Sequence, residues 1–178
     1  MAQAIFHFPR GFLWGAATSS HQVEGNNFNN NWWAWEQEAG RILNGDKSGA
    51  ACDWWGGRWR EDFDRAAEGG QNAHRFSIEW SREMARGLYE RNMTPLVTLH
   101  HFTDPLWISE RGGWENEAVI EPFVRYVRKA VEALKEYVNL WVTINEPNVL
   151  AVSAYLWGVF PPGKKSIGET LRVMVNLA

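Results

Sequence analysis

Two periods of apolar and polar residues alternate along the chain. Three short, largely apolar runs predict strands: 73–80 (AHRFSIEW), 94–101 (TPLVTLHH) and 139–146 (NLWVTINE). A fourth run, 11–17 (GFLWGAA), is weakened by its glycines. The residues between follow a helical period. The segment Trp59–Glu68 carries Glu61 and Asp62 in its first turn and runs into Gly69-Gly70, a good helix stop. Pro122 suits a first helical position, and Phe123, Val127, Ala130, Val131, Leu134 and Val138 recur behind it at spacings of three and four. Ser166 and Glu169 form a capping box, followed by Leu171, Met174, Val175 and Ala178 along one expected apolar face. Strands alternating with helices of these lengths predict βαβ units and a parallel α/β sheet.

Right-handed crossovers place the C-terminal ends of such strands on one side, where α/β folds keep their chemistry. The polar residues gather there. On 73–80, Arg75, Ser77 and Glu79 share one face, and Phe76, Ile78 and Trp80 the other. His101 ends the next run. Asn145 and Glu146 end the run 139–146, with Pro147 behind them. Residues 139–144 are apolar or β-branched enough to predict a strand buried on both faces. An acid where such a strand runs out predicts an active-site rim. His100 and His101 make a poor metal pair, because neighbours on a strand point opposite ways and no third ligand is suitably spaced.

Composition narrows the classes. At 178 residues the chain fits one domain with a substantial core. A net charge of −3 without a basic run gives no electrostatic grip on nucleic acid. No apolar run approaches the ~20 residues of a membrane span. Cys52, the single cysteine, allows no internal disulfide, fits a reducing, cytoplasmic setting and is expected to be a small buried hydrophobe. Twelve tryptophans are an unusual load, serving core packing or the stacking of sugar faces. Trp32, Trp33 and Trp35 are divided between those two roles.

Six strings in order, FLWGAATSSHQVEG (12–25), CDWW (52–55), HRFSIEWSR (74–82), TLHHFTDPLW (98–107), TINEPN (143–148) and GVFPPG (158–163), closely resemble the N-terminal part of family 1 glycoside hydrolases, the retaining β-glucosidases and their relatives. The resemblance covers nearly the whole chain. It implies strands 1–4 and their helices of a (β/α)8 TIM barrel, so that residues 1–178 are the N-terminal portion of one glycosidase domain. It implies no cofactor, and β-linked glucosides or related sugars as substrates. Carried over residue by residue, Glu146 would be the general acid/base and Asn145 would bind the sugar 2-hydroxyl. Gln22 and His101 would bind the 3- and 4-hydroxyls, and Arg75 would hold the catalytic nucleophile. The residue types suit the chemistry: a leaving oxygen needs a proton donor, and in retaining enzymes a second carboxylate roughly 5–5.5 Å away attacks the anomeric carbon.

Two departures accompany the resemblance. The family's nucleophilic glutamate sits near the end of the seventh strand, beyond the four counted here, and Glu24, Glu79 and Glu115 match positions with other functions or none. The run 73–80 also leads almost directly into a helix at 83–92, where the family implies a loop and longer helix start of roughly 15 more residues. Four strands leave two open edges and an interior of Trp and Phe expected to face water, which invites self-association or the missing C-terminal half. A carbohydrate-binding protein without catalysis, or an inactive half-barrel, is the alternative reading.

Overall fold

The structure, a computed structural model, describes residues 7–78 and 82–178. Four strands, β1 (Gly15–Thr18), β2 (Ala73–Ser77), β3 (Thr94–His100) and β4 (Leu140–Ile144), form one parallel sheet in chain order. The helices are α1 (Ser20–Val23), α2 (Asn31–Gln37), α3 (Trp59–Glu68), α4 (Arg82–Glu90), α5 (Leu106–Glu110), α6 (Ile120–Leu134), α7 (Pro147–Ala151) and α8 (Ile167–Asn176). This is the predicted α/β order.

Register defines the two faces of the sheet. Ala17 pairs with Arg75, Arg75 with Leu96, and Leu96 with Leu140, so these four share a face with Thr98 and Val142 one pleat on. The opposite face buries Phe76, Val97 and Leu99 against Phe63 of α3, Met84, Ala85 and Leu88 of α4, and Leu134 of α6. Burial of this apolar surface against three helices is the main force holding the layer together. A second core joins Trp114, Val119, Leu150, Ala154 and Tyr155 to Val173 of α8 and Leu177 just after it. Gly15 permits the β1–β2 pairing: a Cβ there would lie 2.2 Å from the Ala73 carbonyl oxygen.

Several expectations change. The strand read at 11–17 starts later, because the backbone closes on β2 only from Gly15. β4 is not buried on both faces; it is an outer strand, and Leu140 retains 38% of its exposure. The first-face residues are Ala, Arg, Leu, Thr and Val, so the exposed interior is not one of Trp and Phe. Exposed rings lie elsewhere, as in the Phe8–Phe12–Trp14 cluster, with centroids 4.5–4.9 Å apart. Pro122 is the third residue of α6, which grows out of the 3-10 turn Glu117–Val119. Val138 lies past the end of α6, where its N–H bonds to the Leu134 carbonyl and its side chain is buried. In α8 the cap forms, with Ser166 Oγ accepting from the Glu169 N–H at 3.3 Å. Its buried face, however, is Thr170, Val173 and Leu177, while Leu171 and Val175 are exposed. Cys52 is exposed rather than buried, on a left-handed backbone with φ 60°. Glu79 and Trp80, read as ending β2, lie outside the described residues, as does part of the short connection into α4.

Candidate active site

β2 and the C-terminal end of β4 bring three of the expected residues into one hydrogen-bonded chain. Arg75 projects from the middle of β2 on the face it shares with Thr98 and donates through Nε to Thr98 Oγ1 at 2.8 Å. Its Nη2 donates to Asn145 Oδ1 at 2.5 Å. Asn145 Nδ2 in turn donates to Glu146 Oε2 at 3.4 Å. Asn145 is held just past β4 by its backbone N–H on the His100 carbonyl, and its side chain is buried.

Glu146 answers why an acid stands at the end of this strand. Its backbone is left-handed, φ 43° and ψ 60°, which turns the chain directly from β4 into α7. A side chain there carries a conformational cost of about 1–3 kcal/mol, the kind of strain that gathers at functional sites. Pro147 behind it occupies the first position of α7, where a missing N–H costs nothing. Glu146 stays exposed and makes no capping bond to its own helix, so its carboxylate faces the rim rather than serving α7. Phe102, just beyond β3, makes a similar turn with φ 68°.

His101 lies beside this chain. Burial first, then the charges of Arg75 and His100, lower its pKa to about 4, so its imidazole is neutral at physiological pH. Its Nδ1 is buried with no partner among the described residues. His100 faces elsewhere, as strand alternation requires: its Nε2 meets Asp104 at 3.0 Å, and Asp104 also accepts from Trp114 Nε1 at 3.1 Å. No three His, Cys, Asp or Glu side chains among the described residues group as a metal site.

Gln22 sits on α1, immediately after β1, at the same end of the sheet. Its amide oxygen accepts from Ser19 Oγ at 2.7 Å, and among the described residues no hydrogen bond joins it to the other four. Its neighbour His21 is buried with Nε2 3.3 Å from Glu36, which also accepts from the Ser48 and Gly49 N–H groups. Trp32 is half-buried. Its Nε1 donates to the Phe102 carbonyl at 3.0 Å and its ring packs on Phe160, in an aromatic wall that continues through Phe102 to His101. Trp35 instead lies buried under Arg41 and lines a cavity of about 330 Å³ with Trp114, Tyr155 and Lys164. None of the five candidate residues lines that cavity.

Reading the residues alone passed over Thr98, Phe102, Phe160 and the His21–Glu36 pair. Alternation along β3 does put Thr98 on a single face. Only the register with β2 says that this face is Arg75's.

Known proteins carry the same segment. The curated 1,4-beta-D-glucan glucohydrolase of Thermotoga neapolitana is 35% identical, the match covering 96% of this chain and 45% of that protein. It runs over 193 residues, more than the 178 present here, so the relative has internal residues without a counterpart. The human cytosolic beta-glucosidase is 34% identical, over 90% of this chain and 39% of its own. Among solved structures, a family 1 beta-glucosidase from Thermotoga maritima superposes with a TM-score of 0.92 at 34% identity, covering 98% of this chain and 44% of its own. A beta-glycosidase from Pyrococcus horikoshii gives 0.87 at 41%, covering 96% and 43%. The chain therefore spans less than half the length of these relatives, and its four strands are part of their barrel. The sequence profile of glycosyl hydrolase family 1 matches residues 5–178, and the chain belongs to that family.

Proposed function

We propose that this segment supplies the proton-donor half of a retaining β-glycosidase, acting on β-linked glucosides or closely related sugars by double displacement. Glu146 is the general acid/base. It protonates the leaving oxygen as the glycosidic bond breaks, then takes a proton from the water that releases the sugar. Asn145 donates to the oxygen of the 2-hydroxyl, a contact that strengthens as the oxocarbenium-like state forms and so favours the transition state over the substrate. Gln22 and the neutral His101 bind the 3- and 4-hydroxyls, and Arg75 holds the nucleophilic carboxylate. By family resemblance that carboxylate belongs to a later strand than the four described.

One observation carries the reading: the strained turn that sets Glu146 at the end of β4, hydrogen-bonded to Asn145, which is itself tied to Arg75. The names of the relatives support a glucoside as substrate, and that of the human one a cytosolic setting. No described helix is long and apolar enough to cross a membrane.

The test is to incubate the protein with phenyl β-glucoside, whose poor leaving group depends on acid assistance. Phenol release that Glu146→Gln lowers by about 10²–10⁴ supports hydrolysis. Sugar-dependent quenching of tryptophan fluorescence without phenol release supports the sugar site alone. The absence of both signals rejects the rim as a sugar site.

A further inference from the structure

We infer that Thr98 is a positioning residue: through Arg75 it fixes which way the Asn145 amide points, and thereby the 2-hydroxyl recognition of the proposed sugar site. The inference rests on that reading for its functional half and on geometry for the rest. Thr98 is fully buried on β3, between the strands that bear the other two side chains. It touches neither Asn145 nor Glu146 through a hydrogen bond among the described residues; its contact is with Arg75 Nε.

A guanidinium is planar and only donates, so two anchored N–H groups fix its plane. Thr98 Oγ1 anchors Nε, and Asn145 Oδ1 anchors Nη2. The second bond removes the ambiguity of an amide side chain. Because arginine cannot accept, the Asn145 atom facing it must be the oxygen, and the amide nitrogen is left on the side of Glu146. Asn145 therefore presents a donor to the rim. Both bonds run outward from the cation: Arg75 on β2 donates to Thr98 on β3 and to the amide beyond β4, and that amide donates on to Glu146.

With the Thr98 oxygen absent, Arg75 keeps its charge and loses one of its two anchors. The guanidinium then swings, and the Asn145 oxygen is no longer held away from the sugar. Isosteric Thr98→Val removes the oxygen with little change of shape, and Thr98→Ser restores it.

The experiment uses the 178-residue protein and both variants. Side-chain amide signals of Asn145 in ¹H–¹⁵N spectra, assigned by Asn145→Asp, report the amide's environment. Tryptophan quenching reports affinity for methyl β-glucoside and its 2-deoxy analogue. Thr98→Val is expected to move the Asn145 signals and to reduce a glucoside preference of about tenfold, one good hydrogen bond to the 2-hydroxyl, to near parity. Thr98→Ser is expected to keep both. Equal weakening of both sugars, with the preference intact, would assign Thr98 a structural role only and overturn the inference. So would Asn145 signals in Thr98→Val that match the wild type. If the wild type binds neither sugar, the sugar-site reading fails, and the amide signals alone decide the relay.

Discussion

His101 and His74 give single residues a measurable voice in the protein's acid stability. Both have pKa values lowered from the ordinary 6.5, His101 to about 4, with burial the leading cause in each. For His101 the Arg75 and His100 charges add to burial; for His74, packed against Trp54 and Phe63, Asp62 opposes it. The folded state resists protonating them and the unfolded chain does not, so acid favours unfolding. Their stabilisation is fully present above pH 6.5 and is lost as the pH falls from there towards 4. Urea unfolding at a series of pH values should show stability declining across this window, less steeply in His101→Asn than in the wild type; parallel profiles would contradict it. The five candidate residues could be named from the chain because each lies in a recognisable string, four of them at or near the end of a strand and Arg75 within one. Their partners were not. Thr98 meets Arg75 across 23 positions and Arg75 meets Asn145 across 70, and one chain's alternation says nothing about the register that joins them.

Elements held up where local chemistry decides them. α3 spans the residues expected of it because its acidic first turn and terminal Gly69-Gly70 are local signals. The α8 cap is another, and Ser166→Ala should cost about 1 kcal/mol in chemical denaturation by releasing the Glu169 N–H. The face that α8 buries was misread, since Thr170 and Val173 turn inward while the more apolar Leu171 and Val175 face out. What a helix buries depends on the direction from which its neighbours approach, here Trp114 and the α7 region. Packing between α3 and α4 makes a sharper test. A Cβ at Gly87 would lie 2.2 Å from the Trp59 ring, so Gly87→Ala should destabilise the protein by about 1–3 kcal/mol through overpacking, despite alanine's better helix propensity. Phe63→Ala, at a fully buried position of the same layer, should cost about 3–5 kcal/mol. A thermal unfolding series on the two variants would check both.

As a whole molecule, the sheet has helices on one face, and β1 and β4 have no further strand beyond them among the described residues. Parallel strands are normally covered on both faces, and an uncovered edge presents unpaired N–H and C=O groups. The Phe8–Phe12–Trp14 cluster adds exposed apolar area beside β1. The 178-residue chain should therefore self-associate: light scattering should give a mass that rises with concentration above 20.5 kDa, and a dye for exposed apolar surface should bind. A monomer that persists at high concentration and ignores the dye would contradict this. The relatives superpose on this chain over less than half their own length.

The amino-acid order by itself determined the alternation of strands and helices, the family, and the placing of His101, Asn145 and Glu146 at strand ends. Those features follow from short-range rules: periodicity, caps, prolines and contiguous strings. Tertiary structure decided the remainder. It exposed Cys52 and half-exposed β4, chose the buried face of α8, and set Arg75 to donate to both Thr98 and Asn145. Each of these depends on which segments pair and in what register, and that is settled by the free energy of the whole assembled core rather than by any one stretch of it.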